Sequence, residues 1–216
     1  MIRQGVPWNF LCIFLLAVVS VTLLASSQEV QAAGVALQPP FNSTYRLTSF
    51  FDHYYPNGNR TSPDNETTIY TGEKTPDCQP HCYPGHGGID WALPGGTSVL
   101  AAADGEVIFS GCNPAEGYGQ KIIIDHHNGY YTMYAHLSRR DVNQGDTVVA
   151  GEQIALSGNT GRNCQPQWAD HLHFTVYRGG YIIAYHETDP FGWRGSGPDP
   201  LRDFGIRHTA ECLWRG

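Results

Sequence analysis

The sequence has few charged residues and no cluster of basic ones. Asp, Glu, Lys and Arg make up 15% of its 216 residues, against about 25% in an average globular chain. Thirteen Lys and Arg against 20 Asp and Glu give a formal net charge of −7. This balance argues against a nucleic-acid-binding surface and predicts no nucleic-acid partner.

Two common hydrolase signatures are also missing. No GxSxG segment is present, so the sequence offers no serine nucleophile elbow. His186 and Glu187 are not followed by the second histidine of HExxH, which excludes a zinc site carried on one helix. The centre of the chain, residues 85–185, contains no ten-residue stretch with a 3.6-residue apolar period, so we expect helices there to be minor at most.

An apolar run near the N-terminus has the features of an export signal. It extends from Phe10 to Ala25 after a single basic side chain, Arg3, and is shorter than the roughly 20 residues that span a bilayer. Small residues suited to cleavage follow, for example Val30 and Ala32. We therefore assign residues 1–32 to a signal peptide, with an uncleaved membrane anchor as the alternative. A signal peptide and an anchor both place residues 33–216 outside the cytoplasm. Cleavage would leave a secreted protein without a membrane partner.

Cysteine usage agrees with an oxidising compartment. One of the six cysteines, Cys12, lies in the apolar run, and five follow it: Cys78, Cys82, Cys112, Cys164 and Cys212. A disulfide between Cys112 and Cys164 would tie two loops together. Cys78 and Cys82 would close a small loop or, with His81, hold a structural metal. The sequence leaves the pairing open, and an odd count implies one free or intermolecular thiol.

Short apolar runs predict an all-β fold. Seven of them recur between residues 98 and 177, each bounded by Gly, Asn, Asp or Pro, as in a domain of short strands. Two of the segments, GTSVLAAADGEVIFSG and GDTVVAGEQIALSG, echo one another and suggest a pseudo-symmetric sheet or barrel. Flanking this centre are a polar segment at 33–75, in which the apolar piece Tyr45–Phe51 is expected to form a strand, and an irregular tail at 186–216.

Three segments carry histidines in patterns that suit a metal. His86 and Asp90 are separated by a flexible Gly-Gly-Ile, and His171 and His173 would point to one face of a strand. His136 ends another strand-like run. Zinc takes nitrogen and carboxylate ligands and in catalytic sites keeps one position for water. His86, Asp90 and one histidine of the 171/173 pair would be the ligands, and the remaining histidines would exchange protons with the water.

The order of these motifs resembles that of a known family. HGGIDWALPGGTSVLAAADGEV, GYGQKIIIDHHNGYYTMYAHLS, GDTVVAGEQIALSGNTG and HLHFTV are similar to the lysostaphin-type (LytM-like) zinc endopeptidases, which cut peptide bonds in peptidoglycan. The resemblance implies one Zn²⁺ held by His86, Asp90 and His173, with His136 and His171 as the catalytic pair. It also implies a compact antiparallel β-structure, barrel-like or sandwiched, with a groove, and a catalytic domain at 76–185 that acts on peptidoglycan peptides.

Two segments depart from that family pattern. The connection Gly161–Asp170 is longer than usual and contains Cys164 and Trp168; we expect it to border the groove. The usual Gly and Arg at the end of the first strand are replaced around Phe51-Asp52-His53. The alternative function is a non-catalytic module that regulates another wall hydrolase, or a latent enzyme whose groove is covered by the N-terminal segment. The bond that is cut and the oligomeric state stay open.

Other polar residues are given ordinary structural roles. His126 and His127 precede Asn-Gly, a hairpin-turn signal, and are expected to be solvated turn residues. The tyrosines of the centre are expected to be surface and core residues, with a hydrogen-bond donor in the groove as the alternative role for one of them: Tyr118, Tyr130, Tyr131 and Tyr134.

Overall fold

The computed structural model describes residues 35–54, 66–75, 84–181, 186–201 and 210–215. The predicted export signal at 1–32 and the segment with Cys78, His81 and Cys82 lie outside these residues, as does His208. Across the described ranges no helix is long and apolar enough to cross a membrane.

The described chain is built from short antiparallel strands and one three-residue 3-10 helix at Arg162–Cys164. The strands are β1 Leu47–Ser49, β2 Thr67–Thr68, β3 Lys74–Thr75, β4 Ile89–Trp91, β5 Ser98–Leu100, β6 Gly105–Cys112, β7 Gln120–Asp125, β8 Tyr130–Leu137, β9 Arg139–Arg140, β10 Thr147–Val148, β11 Gln153–Leu156, β12 Gly158–Thr160, β13 Pro166–Arg178 and β14 Glu187–Thr188. The predicted all-β fold is confirmed, and each of the seven apolar runs overlaps one of these strands.

One large sheet forms the floor on which the candidate site lies. Its strands are ordered β1-β4-β13-β8-β7-β6-β10, and β12 and β14 also pair with β13. A small sheet, β5-β11-β9, packs against it, and β2 and β3 form a separate ribbon. Residues facing the interior between the sheets are fully buried, among them Val99, Ile122, Ile154 and Phe174. Their burial supplies the main apolar stabilisation of the fold.

The two similar segments pair with each other reciprocally. In the first segment β5 pairs with β11 of the second, and β6 pairs with β10. Val99 lies opposite Ala155, and Glu106 lies opposite Thr147. The repeat in sequence is therefore a repeat in structure, with each unit supplying one strand to the large sheet and one to the small sheet.

The C-terminal segment packs on the same core. β14 pairs with β13, where Glu187 lies opposite Tyr177. The Leu37 amide donates to the Leu213 carbonyl at 2.7 Å, and the Trp214 ring lies 5.9 Å from the Phe174 ring. The last described residues thus cover apolar surface of the large sheet.

Two expectations can be compared directly with the structure. Cys112 at the end of β6 is disulfide-bonded to Cys164, which confirms one of the open pairings, and Cys212 is also disulfide-bonded. The prediction that His126 is solvated is wrong. Its ring is buried, with Nδ1 2.6 Å from the Asp104 carbonyl oxygen and Nε2 2.9 Å from Thr132 Oγ1. His127, in contrast, is exposed.

Candidate active site

Three side chains from distant parts of the chain meet on the floor of the large sheet. His86 Nε2 lies 3.0 Å from His173 Nδ1 and 3.2 Å from Asp90 Oδ1, and His173 Nδ1 lies 2.9 Å from Asp90 Oδ1. All three residues are buried. Within the described residues, this is the one cluster of three or more histidine, cysteine or carboxylate side chains whose ligand atoms lie close enough together to hold a metal ion.

Strand pairing explains this convergence. β4 pairs with β13 so that Asp90 lies directly opposite His173, and residues opposite each other share one face of a sheet. His86 reaches the same point from the loop before β4. Gly88 in that loop lies against β13, where a Cβ would come within 2.7 Å of the His173 ring and of the Phe174 carbonyl. Only glycine allows this close approach.

Neighbouring groups fix which ring nitrogen of each histidine faces the centre. His86 Nδ1 lies 2.8 Å from the Phe50 carbonyl oxygen. A carbonyl only accepts, so Nδ1 carries the proton and Nε2 presents a lone pair. His173 Nε2 lies 2.9 Å from Thr175 Oγ1; donation there would leave Nδ1 free to bind a metal, whereas without a metal Nδ1 donates to Asp90. Such partners orient metal-ligating histidines in general.

The donor set fits a divalent cation. A tetrahedral zinc ion with bonds of about 2.0–2.1 Å spaces its ligands about 3.3 Å apart, close to the 2.9–3.2 Å between the three atoms. A single proton can bridge only one pair of these atoms, whereas a cation is shared by all three. Two imidazole nitrogens and one carboxylate oxygen are also ligand types that zinc prefers.

The three groups perturb one another electrostatically. Burial raises the pKa of Asp90, but the His86 charge and the hydrogen bond from His173 outweigh it and hold the pKa well below its ordinary value. Burial lowers the pKa of His86, yet Asp90 more than compensates and the pKa is raised. For His173 burial dominates and the pKa is lowered. Asp90 is therefore ionised at neutral pH and can serve as an anionic ligand.

A β-bulge turns His136 towards this cluster. Between β7 and β8 the register shifts, because Gln120 pairs with Leu137 while Ile122 pairs with Tyr134. His136 has φ of 61°, an uncommon conformation for a residue other than glycine. Strict alternation would point His136 the same way as Tyr134, into the core, and the bulge reverses this.

His136 and His171 form a pair beside the three clustered groups. Their ring centroids are 4.4 Å apart, and the His136 ring lies 5.8 Å from that of His173. His136 Nδ1 donates to the Thr160 carbonyl at 2.7 Å, and His171 Nδ1 donates to the Ala169 carbonyl at 2.7 Å. Nε2 is therefore the free nitrogen of each neutral ring.

Burial and the neighbouring imidazoles keep His136 neutral. Burial is the main cause that lowers the pKa of His136, His173 and His171 lower it further, and the result is about 3. At neutral pH this ring is a hydrogen-bond acceptor at Nε2.

Tyr118 is a site residue that the sequence did not single out from the other tyrosines. Its ring lies 5.3 Å from the His173 ring and 6.5 Å from the His136 ring. Burial raises its pKa, and the Glu187 and Glu116 carboxylates raise it further. The side chain therefore stays a phenol, a hydrogen-bond donor. The one local signal is the following Gly119, where a Cβ would come within 2.4 Å of the Thr160 backbone.

The segment from Gly161 to Asp170, whose second half is the start of β13, borders the site, as expected. Trp168 is 48% exposed, and its ring lies 6.3 Å from the His136 ring. The loop begins at Thr160, whose carbonyl holds His136 and whose hydroxyl donates to the Leu137 carbonyl at 2.9 Å. The disulfide to Cys112 fastens its middle.

Other histidines lie elsewhere. His126 and His127 are at the β7–β8 turn, and His186 follows the other end of β13, where its carbonyl accepts from the Arg178 amide. His53 is fully buried between two carboxylates, Asp189 and Asp199.

Comparison with known proteins identifies the group to which this site belongs. A family model described as Peptidase family M23 matches residues 84–185. The chain is 34% identical over 154 residues to the peptidoglycan DD-endopeptidase ShyA of Vibrio cholerae, with 70% of this chain and 29% of ShyA covered. It is 40% identical over 96 residues to the murein hydrolase activator NlpD of Escherichia coli, covering 44% of this chain and 24% of NlpD.

A solved structure has a similar fold. The crystal structure of a zinc-containing peptidase from Vibrio cholerae is 30% identical, with a TM-score of 0.51, covering 72% of this chain and 39% of that one. The chain spans less than a third of the length of the curated relatives named above. The matched motifs, the antiparallel fold and these relatives agree, and the chain belongs to peptidase family M23, the group of the lysostaphin-type (LytM-like) peptidases.

Proposed function

We propose that this protein is a zinc endopeptidase that hydrolyses peptide bonds in bacterial peptidoglycan. The observation that carries the proposal is the triangle of His86 Nε2, Asp90 Oδ1 and His173 Nδ1 with the His136–His171 pair beside it. These three atoms would hold one Zn²⁺. When bound, the ion supplies Lewis acidity, which polarises a carbonyl and lowers the pKa of water.

The remaining residues have distinct roles in this scheme. Neutral His136 accepts a proton from the attacking water at Nε2, because Nδ1 is held on the Thr160 carbonyl. His171, whose Nδ1 is likewise held on a carbonyl, takes over this proton at Nε2 and passes it to the amine nitrogen as the C–N bond breaks. The Tyr118 phenol donates a hydrogen bond to the oxygen on which negative charge develops.

The proposed place of action is outside the cytoplasm. The apolar run from Phe10 to Ala25 and the Cys112–Cys164 disulfide both support an exported protein in an oxidising compartment. We assign residues 76–185 to the catalytic domain, flanked by the segments at 33–75 and 186–216. Detection of the protein in a periplasmic or culture fraction, with an N-terminus near Ala33, tests this assignment.

Metal content and bond cleavage test the activity together. We expect the purified full chain to bind one zinc per molecule and to release peptide fragments from wall preparations of defined composition, identified by mass spectrometry. His173→Ala should lose both. His127→Asn is the matched control, since this histidine is exposed, has φ of 58° and lies away from the site; it should keep both.

One result would favour a regulatory role instead. A protein that binds zinc, cleaves no wall preparation and yet stimulates another wall hydrolase would contradict the endopeptidase proposal. Full zinc and full activity in His173→Ala would refute the ligand assignment.

A further inference from the structure

An indole lies exposed beside the proposed catalytic pair. In the described part of the chain four large hydrophobic side chains are exposed: Tyr54, Val149, Trp168 and Tyr181. Of these, Trp168 is in ring contact with a site histidine, His136, at 6.3 Å and an interplanar angle of 70°. Its place at the border of the site leaves the indole accessible to a ligand that reaches the site, and an indole offers a large, rigid surface for such a contact.

The backbone under Trp168 is held firmly. Gly161 leaves space for the indole, since a Cβ there would come within 2.8 Å of Trp168 Nε1. The Arg162 amide donates to Gln167 Oε1 at 2.7 Å, and the Gly161 amide donates to the Gln165 carbonyl at 2.8 Å. Together with the disulfide at Cys164, these bonds pre-organise the ring, which lowers the entropy lost when a ligand binds.

The exposed residues that precede Trp168 in the chain indicate the chemistry of a ligand bound there. Arg162, Asn163 and Gln165 are all exposed and offer amide and guanidinium groups that donate and accept hydrogen bonds. Asp170 is already engaged, accepting from Asn159 Nδ2 at 2.9 Å and from the Gly95 amide at 3.0 Å. A flat apolar ring close in sequence to amide and guanidinium groups matches a pyranose, which has an apolar C–H face and a rim of hydroxyls.

The position of the indole agrees with the length of a peptide attached to a sugar. The ring centroids are 5.8 Å apart from His173 to His136 and 6.3 Å apart from His136 to Trp168. These steps lie within the span of three or four extended residues, about 10–14 Å. A stem peptide whose bond lies at the cluster can therefore place its sugar on Trp168.

We propose that Trp168 is the platform of a saccharide subsite, where a pyranose of the glycan strand stacks on the indole while the attached peptide occupies the groove. The proposal rests on the proposed peptidoglycan endopeptidase function and adds that the enzyme binds the glycan as well as the peptide of its substrate. It predicts a preference for cross-links that still carry their sugars.

Two substrates separate the contributions of sugar and peptide. One is a cross-linked peptide dimer with its disaccharides, and the other is the same dimer after an amidase has removed them. We expect the wild-type ratio of kcat/KM to favour the first substrate. Trp168→Ala should lower that ratio by about fivefold to tenfold, and Trp168→Phe should retain part of it.

Tyr181→Ala is the control, because Tyr181 is 50% exposed but packs on the Tyr131 ring at 5.3 Å; its ratio should equal the wild-type ratio. An unchanged ratio in Trp168→Ala, including an equal loss on both substrates, overturns the subsite. If neither substrate is cleaved, the proposed function fails. The saccharide subsite is then tested by glycan binding alone. Peptide-free glycan fragments should then shift the Trp168 indole N–H signal, assigned by its loss in Trp168→Phe, and no shift overturns the subsite.

Discussion

Stability should fall with rising pH above neutrality because of one buried histidine. His53 Nδ1 lies 2.9 Å from Asp199 Oδ1, and His53 Nε2 lies 3.0 Å from Asp189 Oδ2. A carboxylate only accepts hydrogen bonds, so both ring nitrogens carry protons and the side chain is an imidazolium. All three residues are buried, which makes each pairing strong.

The size of the effect follows from the pKa of His53. Burial lowers it, but the two hydrogen bonds and the charges of Asp189 and Asp199 outweigh burial and raise it from 6.5 to about 9. One pKa unit corresponds to about 1.4 kcal/mol, so the imidazolium contributes about 3 kcal/mol. Because the folded pKa is the higher one, this stability is fully present below pH 6.5 and is lost as the pH rises through 9.

Asp199 gives the opposite dependence on the acid side. Burial raises its pKa, but the hydrogen bond and charge of His53 outweigh burial and lower it. Its stabilisation is therefore present above the ordinary carboxyl pKa and lost as the pH falls through the lowered value. Stability should be greatest from the ordinary carboxyl range to about pH 6.5.

Urea unfolding of the zinc-loaded protein between pH 6 and 10 measures this dependence, with zinc present so that His86 does not titrate. We expect the unfolding free energy to drop by about 3 kcal/mol, and the imidazole ¹⁵N signals of His53 to titrate near 9. His127→Asn should show the same drop, whereas Asp189→Asn should show a smaller one. A His53 that titrates at or below its ordinary pKa, or a flat stability curve, would refute the reasoning.

Three further substitutions test the supports of the site. Asp52→Asn should weaken zinc binding by about tenfold or more, because Asp52 Oδ2 accepts from the Gly85 amide at 2.8 Å next to His86; unchanged affinity in a chelator competition contradicts this. Tyr118→Phe should lower kcat by about a hundredfold with KM and zinc content retained; steady-state kinetics that show only a raised KM would remove its proposed role. Replacing Cys112 and Cys164 with Ser opens a link across 52 residues and should cost about 4 kcal/mol of unfolding free energy, measured by urea unfolding; a loss below 1 kcal/mol would mean that the loop is fixed without it.

Local patterns were sufficient to predict the strands and half of the site. Alternation predicts that His171 and His173 share a face, and the pairing of β4 with β13 then brings Asp90 opposite His173. The echo between the two similar segments likewise predicted a repeated unit, because its strand–turn–strand pattern is carried by consecutive residues. These features depend on a period of two and on short turns, both visible in sequence.

Irregular backbone and long-range contacts were not predictable in this way. The bulge that turns His136 depends on a register shift between β7 and β8, and no residue type marks it. His126 stands before a hairpin-turn signal and is therefore expected to be solvated. Its ring is instead buried, with hydrogen-bond contacts to Thr132 and the Asp104 carbonyl. Tyr118 differs from the other tyrosines only through the crossing of its loop over Thr160.

The departure from the family pattern at Phe51-Asp52-His53 joins two parts of the fold. The Asp52 amide donates to the His86 carbonyl at 2.9 Å, and its carboxylate accepts from the Gly85 amide. The next residue, His53, binds Asp189 and Asp199 of the C-terminal segment. One buried dipeptide therefore holds a proposed metal ligand on one side and the end of the chain on the other. Because these two residues are adjacent, we expect that loosening the C-terminal segment shifts His86 and weakens metal binding.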